Sequence, residues 1–364
     1  DPSVDIVVEL IGGTGAASKL ILAALRLGKP VVTANKALLA EKGSRVFVEA
    51  DRRGVDVCFE ASVAGGIPLV RALSRGLVAD NILSMHGILN GTCNFILTRM
   101  TRAGETFDHA LKSAQEAGYA EADPSLDIDG RDTAHKAAIL ALLAYGERVP
   151  LKDMSVEGIR GIAAEDIAYA RDLGYVIKLL AAVSRVNGGI EARVGPSLVR
   201  SDHMLASVGG VFNAVLVKSD TIGDTLYYGR GAGRRPTASA VISDIADVAR
   251  KIATGSTDRL SPFPRNIRDG RALDPGLSLS RHYLRMLLPD KPCILGRISM
   301  ALGRNGISIA SVAQTELRKT AGRVPVVFIT HVASDGRIGA ALRAISSLGV
   351  AGGRIVRMRI EDFE

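Results

Sequence analysis

Tryptophan is absent from the 364 residues, and only 4% of them are aromatic. Proteins that bind single-stranded nucleic acid stack bases on aromatic platforms, so this scarcity argues against that class despite a formal charge of +8. The basic residues are spread through every segment, and the densest pair, Arg234-Arg235, lies in a glycine loop. Cysteine is equally sparse. Cys58, Cys93 and Cys293 are odd in number, far apart and set in apolar sequence, which argues against a disulfide framework or a zinc cluster and fits core residues in a reducing compartment. No apolar run reaches membrane-spanning length and the N-terminus has no signal-peptide pattern, so the expectation is a cytoplasmic protein without membrane contact. A chain that is 47% hydrophobic and 23% charged suits two or three domains with sizeable cores.

What is present starts with β-branched sequence. From Val4 to Ile11 the chain is an almost continuous run of the buried parallel-strand type. A helix is predicted over 16–27, ended by Gly28 and Pro30, followed by a strand at 31–33, a helix over 36–53 and a strand at 55–59. This alternation is half of a doubly wound sheet. Gly13-Thr14-Gly15-Ala16-Ala17-Ser18 nearly spells the dinucleotide fingerprint, but Ser18 occupies its third position, and Thr33 and Asn35 stand where an acidic residue belongs. It reads as a strand-to-helix turn. Further on, a strand over 82–89 runs into Asn90-Gly91-Thr92-Cys93-Asn94, which opens a helix to Met100. Strands near 176–186, 190–199 and 210–228 suggest a mixed sheet covered by the helices around 91–145, a natural dimer surface. Glycines from Gly229 to Gly233 lead into a helix from Pro236 to about Ile252, and a Pro/Gly-rich linker covers 253–280. The remainder spells β-α-β-β-α-β, with strands at 282–288, 306–317, 323–332 and 353–361 and helices at 293–304 and 337–348.

Chemistry concentrates between Gly118 and Lys136. Glu121, Asp123, Asp127, Asp129 and Asp132 crowd a segment that leads into an apolar helix near Arg131, on which Asp132 and Lys136 lie one turn apart on the same face. A calcium loop fails because Ser125 and Lys136 would fill its first and last ligand positions. What remains is an amine among carboxylates, suited to holding an ammonium group while keeping a lysine ready for proton transfer. Thr33-Ala34-Asn35-Lys36 lies at the carboxyl rim of the N-terminal sheet, where open α/β sheets bind ligands. Glu60-Ala61-Ser62-Val63-Ala64-Gly65-Gly66-Ile67-Pro68 is an irregular turn with outward carbonyls.

Along essentially the whole chain, in order, these motifs resemble the homoserine dehydrogenase family, and the C-terminal pattern resembles an ACT domain, an amino-acid-sensing module. The resemblance implies an α/β architecture in three parts. A partial Rossmann-like doubly wound sheet would take residues 1–62 with 234–252, an α+β catalytic and dimerisation domain 63–233, and a βαββαβ ACT domain 281–364, expected to fold alone. It also implies NADP- or NAD-dependent interconversion of L-homoserine and L-aspartate 4-semialdehyde. Lys136, Lys36 and Asp132 would be catalytic, while Glu121, Asp127, Gly91 and Thr92 would bind substrate. Gly12, Gly13, Thr33, Lys36, Gly231 and Gly233 would line the cofactor. The carbonyls of Glu60, Val63, Gly65 and Ile67 would hold a sodium ion, as befits a hard cation. Threonine is the expected effector and a homodimer or homotetramer the expected assembly. ACT domains usually have glycine where Cys293 follows Pro292. The pyrophosphate fingerprint is expected ahead of Asp1, making the chain N-terminally truncated. The alternative is an amino-acid-binding regulatory protein with a vestigial dehydrogenase half.

Overall fold

The computed structural model describes residues 1–186, 188–256, 267–314 and 322–363. Its N-terminal unit has three parallel strands, Val7–Glu9, Val31–Thr33 and Val57–Cys58, in chain order, with Val8 opposite Val32 and Val32 opposite Cys58. The first strand is shorter than the β-branched run from Val4 predicts. It pairs on one side only among the described residues, and Val8, Leu10 and Ile11 are exposed. Helices Ala16–Arg26 and Lys36–Arg53 join the strands. The second begins where the Asn35 side chain accepts the Leu38 N–H at 3.1 Å and ends at left-handed Gly54, the cap pair expected of a helix bounded by Asn and Gly. Buried Ile21, Leu25, Leu38 and Phe47 seal the helices onto the core. Helix Arg234–Ala253 returns to this unit through Val241 and Val248, which pack with Val32.

The second sheet spans the rest of the molecule. Across its main path run Asp224–Arg230, Phe212–Ser219, Ile82–Ile88, Tyr175–Val186 and Gly189–Arg200, then Gly352–Glu361, Leu279–Pro289, Arg323–Thr330 and Ile309–Gln314. The predicted strand over 210–228 is in fact a hairpin. Asp220 to Gly223 turns the chain, with Gly223 at φ 80° and its carbonyl accepting the Ser219 N–H at 3.0 Å. Helices Gly91–Ala103 and Arg131–Tyr145 cover the sheet. The second is buried on nearly every side and sits between two left-handed glycines, Gly130 and Gly146. The acidic segment before it contains a helical turn, Ser125–Ile128.

The C-terminal module has the expected β-α-β-β-α-β order, with helices Ile294–Arg304 and Asp335–Ser347 and a core including Leu284, Phe328, Ile298 and Ile338. Part of the predicted strand over 306–317 and of the linker over 253–280 lies outside the described residues. The module is not a separate bead. Its last strand pairs in parallel with Gly189–Arg200, with Arg359, Ile360 and Glu361 opposite Ser197, Leu198 and Val199. Across this seam Arg193 donates two hydrogen bonds to Glu361, at 2.7 and 2.9 Å, and both residues are buried. A second clamp is Asp166, which accepts from Arg285 at 2.6 and 2.9 Å and from the Tyr283 hydroxyl at 2.9 Å.

Candidate active site

The site forms where the rim of the small sheet meets the start of the buried helix Arg131–Tyr145. Lys36 is the first residue of its own helix, and that helix packs against the buried one. Its ammonium reaches Asp132 Oδ1 at 2.8 Å, while Lys136 reaches Asp132 Oδ2, also at 2.8 Å. One carboxylate thus bridges both lysines. Their exposures differ: the Lys136 side chain is 9% exposed and also donates to the Leu89 carbonyl at 2.6 Å, whereas the Lys36 side chain is 37% exposed. Burial opposes the charge on Asp132, yet Lys136 and Lys36 together hold its carboxyl well below the usual carboxylate range.

Asn90 ties this cluster to the acidic segment. As N-cap of helix Gly91–Ala103 its Oδ1 accepts the Cys93 N–H at 2.8 Å, and its Nδ2 donates to Asp127 Oδ1 at 2.7 Å and Asp132 Oδ2 at 2.9 Å. The Thr92 hydroxyl stands 3.1 Å from Asp127 Oδ2 and 2.7 Å from the Tyr119 carbonyl. Asp127 is therefore oriented by neutral donors and pairs with no cation among the described residues. Gly91 is glycine because a Cβ there would lie 2.9 Å from the Val211 carbonyl. Glu121 is exposed, and its carboxylate makes no hydrogen bond or ion pair with the cluster. Cys93 is packing: burial pushes its thiol well above the ordinary value, and its Sγ lies 3.3 Å from the Asp127 carbonyl.

At the sheet rim Glu9 organises the candidate cofactor loop. Its carboxylate accepts from the N–H groups of Ile11 at 2.8 Å and Gly12 at 3.0 Å and from the Thr33 hydroxyl at 2.8 Å, and Thr33 Oγ1 in turn accepts the Asn35 N–H. Asn35 and Lys42 donate to the Gly13 and Thr14 carbonyls. Gly12 and Gly13 take φ of 82° and 72°, which favours glycine at both. The Ile11 and Gly12 N–H groups are thus taken up by Glu9, and Thr33 is fully buried beneath the loop.

Two glycine turns interlock beside the site. The Gly66 N–H donates to the Arg230 carbonyl at 3.0 Å, a Cβ on Gly66 would sit 2.6 Å from that same oxygen, and one on Gly231 would collide with the Asn213 amide. Gly233, at φ 121°, starts helix Arg234–Ala253. Of the carbonyls proposed for sodium, those of Val63 and Gly65 accept no hydrogen bond among the described residues, while Ile67 already accepts from Leu69 N–H at 2.7 Å. The Glu60 side chain faces away, capping the Val70 and Arg71 N–H groups at 2.8 and 3.0 Å. Burial raises its pKa, against those two hydrogen bonds.

Sequence reasoning had marked Lys36, Asp132, Lys136, Asp127 and Thr92, and the structure brings these together. It had not marked Glu9 or Asn90 as organisers, nor the Arg71–Asp244 pair at 2.7 Å that links the Glu60 turn to the returning helix. Asn90 carried a signal, being an Asn-Gly N-cap where a strand turns into a helix; Asp244, 173 residues from Arg71, carried none.

Hydride transfer at an amino-acid carbon calls for a proton carrier and a carboxylate for the ammonium; here Lys36, Asp132 and Lys136 meet, with Asn90 joining Asp132 to Asp127, beside the rim of a small parallel sheet. The class is that of dinucleotide-dependent amino-acid dehydrogenases with an appended ACT module. Family profiles agree: "Homoserine dehydrogenase" matches residues 68–246, "Homoserine dehydrogenase, NAD binding domain" residues 1–60 and "ACT domain" residues 282–350. A homoserine dehydrogenase from Pseudomonas aeruginosa is 44% identical over 100% of this chain and 84% of its own length, and one from Bacillus subtilis is 39% identical over 96% and 80%. The crystal structure of a homoserine dehydrogenase from Thiobacillus denitrificans superposes with a TM-score of 0.94 at 43% identity, covering 100% of this chain and 84% of that one. A hyperthermophilic archaeal homoserine dehydrogenase in complex with NADPH gives 0.60 at 32% identity over 68% and 72%. The chain belongs to the homoserine dehydrogenase family, NAD(P)-dependent oxidoreductases that interconvert homoserine and aspartate 4-semialdehyde, and the reading as a vestigial regulatory protein is not favoured.

Proposed function

We propose that Lys136 is the proton carrier of this reaction, giving its proton to the aldehyde oxygen in reduction and taking it back in oxidation. The observation that carries this reading is the shared carboxylate: Asp132 lies 2.8 Å from both ammonium groups and so fixes where each points. Lys36, more exposed and bound only through Asp132 among the described residues, faces the substrate oxygen as a second positive charge that stabilises developing alkoxide. Asp127, oriented by Asn90 and Thr92 yet paired with no cation among the described residues, takes the substrate ammonium, and Glu121 swings in from the surface to join it. Gly91, whose bare Cα admits the Val211 carbonyl, sets the helix start that presents Asn90 and Thr92 to the substrate.

NAD(P), when bound, supplies or accepts the hydride. Gly12, Gly13, Thr33, Lys36, Gly231 and Gly233 line its place, with Thr33 acting through the Glu9 and Asn35 network beneath it. The carbonyls of Val63 and Gly65, which accept no hydrogen bond among the described residues, would join those of Glu60 and Ile67 around a sodium ion. The ACT module would sense an amino acid, threonine being the family-based choice. The cofactor part takes residues 1–62 with 234–252, the catalytic part 63–233 and the ACT part 281–364, with 253–280 as linker. Strand Asp224–Arg230, paired on one side only among the described residues, supports assembly as a homodimer or homotetramer. Three free cysteines and no helix long and apolar enough to cross a membrane among the described residues support a cytoplasmic setting.

Lys136→Ala should lower kcat by about 10²-fold or more, the scale of a lost general acid. Lys36→Ala should lower kcat as well and also raise KM. Steady-state kinetics in which both substitutions change KM alone would make the lysines binding groups and remove Lys136 from proton transfer.

A further inference from the structure

A cavity lies at the seam where the ACT strand Gly352–Glu361 meets the helix start at Arg131. Its volume is about 830 Å³. Two walls are built rather than incidental. The loop 157–161 is pinned to the acidic segment by Ile159 N–H donating to Ile128 O at 2.8 Å, and Gly158 is packed so closely that a Cβ would lie 2.1 Å from that oxygen. Arg160 locks the same loop through Asp129, at 2.5 Å. From the ACT side Arg354 lays its guanidinium over Gly161, where a Cβ would come within 2.9 Å of it.

Charge accounting inside this cavity is one-sided. Its two carboxylates are already neutralised, Asp129 by Arg160 and Glu157 by Arg357. Arg131 and Arg354 line the cavity and have no ion pair or hydrogen bond among the described residues, leaving two guanidinium groups facing it. His135, one turn along from Arg131, also lines it and has a buried Nδ1 without a partner. Unpaired cations beside an unsatisfied buried nitrogen mark a place for an anion with several acceptor oxygens.

We propose that this cavity binds a small dianion, a phosphate or dicarboxylate group gripped by Arg131 and Arg354, so that one ligand joins the ACT strand to the first turn of the catalytic helix. The remaining wall is apolar, with Leu126, Leu151 and Met154, so the ligand has room for a short hydrocarbon body. Because Arg131 adjoins Asp132 in sequence, occupancy bears on the helix turn that orients both lysines. The site itself does not depend on the roles assigned to those lysines.

Calorimetric titration of the full chain with inorganic phosphate and, separately, with succinate tests it. At least one probe should saturate a single site per chain, and Arg354→Ala and Arg131→Ala should each weaken that binding tenfold or more. Saturation by phosphate alone assigns a phosphoryl group, by succinate alone a dicarboxylate, and by both the shared oxyanion chemistry. Arg354 is exposed, so its alanine variant should fold even if that of Arg131 does not. Binding of neither probe, or binding that survives Arg354→Ala unchanged, overturns the proposal.

Discussion

Asp132 illustrates how much one side chain can organise: it is buried, bridges two ammonium groups and is further held by Asn90. Its folded pKa is depressed, so the stability it contributes is present above the unfolded carboxylate value of about 4 and is lost as pH falls below it. Asp132→Asn should therefore lower kcat by about 10²-fold, through misdirected lysines, and should flatten the acid limb of an unfolding curve below about pH 4. Equal acid sensitivity in the variant would count against this. Lys178 also has a depressed folded pKa, but there folding favours the neutral form. Burial, assisted by Arg102, lowers its pKa to about 8, and its Nζ donates to the Val208 carbonyl. Between pH 8 and 10.5 the folded chain holds fewer protons than the unfolded one, so stability should rise with pH across that window. Thermal melts of Lys178→Met should lose that rise; if they keep it, another group is responsible.

Among the elements, the turn at Pro292-Cys293 shows a local rule broken. Cys293 caps helix Ile294–Arg304 with φ 66°, a left-handed conformation that costs a residue with a Cβ about 1–2 kcal/mol. Cys293→Gly should stabilise the chain by about 1 kcal/mol, less the extra entropy glycine has when unfolded, read as a higher midpoint in urea. A lower midpoint would show that the cysteine side chain contributes packing there. Most helices were legible because caps and periodicity agree locally: helix Lys36–Arg53 starts and ends where Asn35 and Gly54 indicate. The hairpin at 212–219 and 224–230 was not, since Asp220 to Gly223 interrupts an otherwise continuous β-branched and aromatic run. The first strand fell short of Val4 because only Val7 to Glu9 find partners in Val31–Thr33.

For the molecule as a whole, the seam between catalytic and ACT parts decides cooperativity. Tyr283, Val327, Ile329, Met358 and Ile360 belong to the main catalytic core rather than to the module's own. Cut out as residues 281–364, the module would expose these side chains together with buried Glu361 and Arg359, so it should aggregate or melt without a sharp transition, unlike a domain that folds alone. A sharp, reversible melt of the isolated piece would show the seam to be dispensable. Burial opposes the charge of Glu361, but Arg193 outweighs it and lowers the pKa to about 2, so this pair too supports stability above the ordinary carboxylate range and fails toward pH 2. Arg193→Ala leaves a buried carboxylate alone and should cost about 3–5 kcal/mol. Denaturant unfolding of that variant should still be one transition, shifted as a unit.

The sequence by itself determined the order of elements, the three family-like parts and the acidic-lysine stretch, because strand and helix periodicity, caps and turn residues act over a few positions. Tertiary structure alone decided that Lys36 and Lys136, 100 residues apart, share the two oxygens of Asp132, that Glu9 occupies the N–H groups of the loop at Gly12, and that the ACT strand continues the catalytic sheet. Those outcomes depend on which surfaces meet across long loops, and no local pattern encodes a pairing such as that of Arg193 with Glu361, separated by 168 residues.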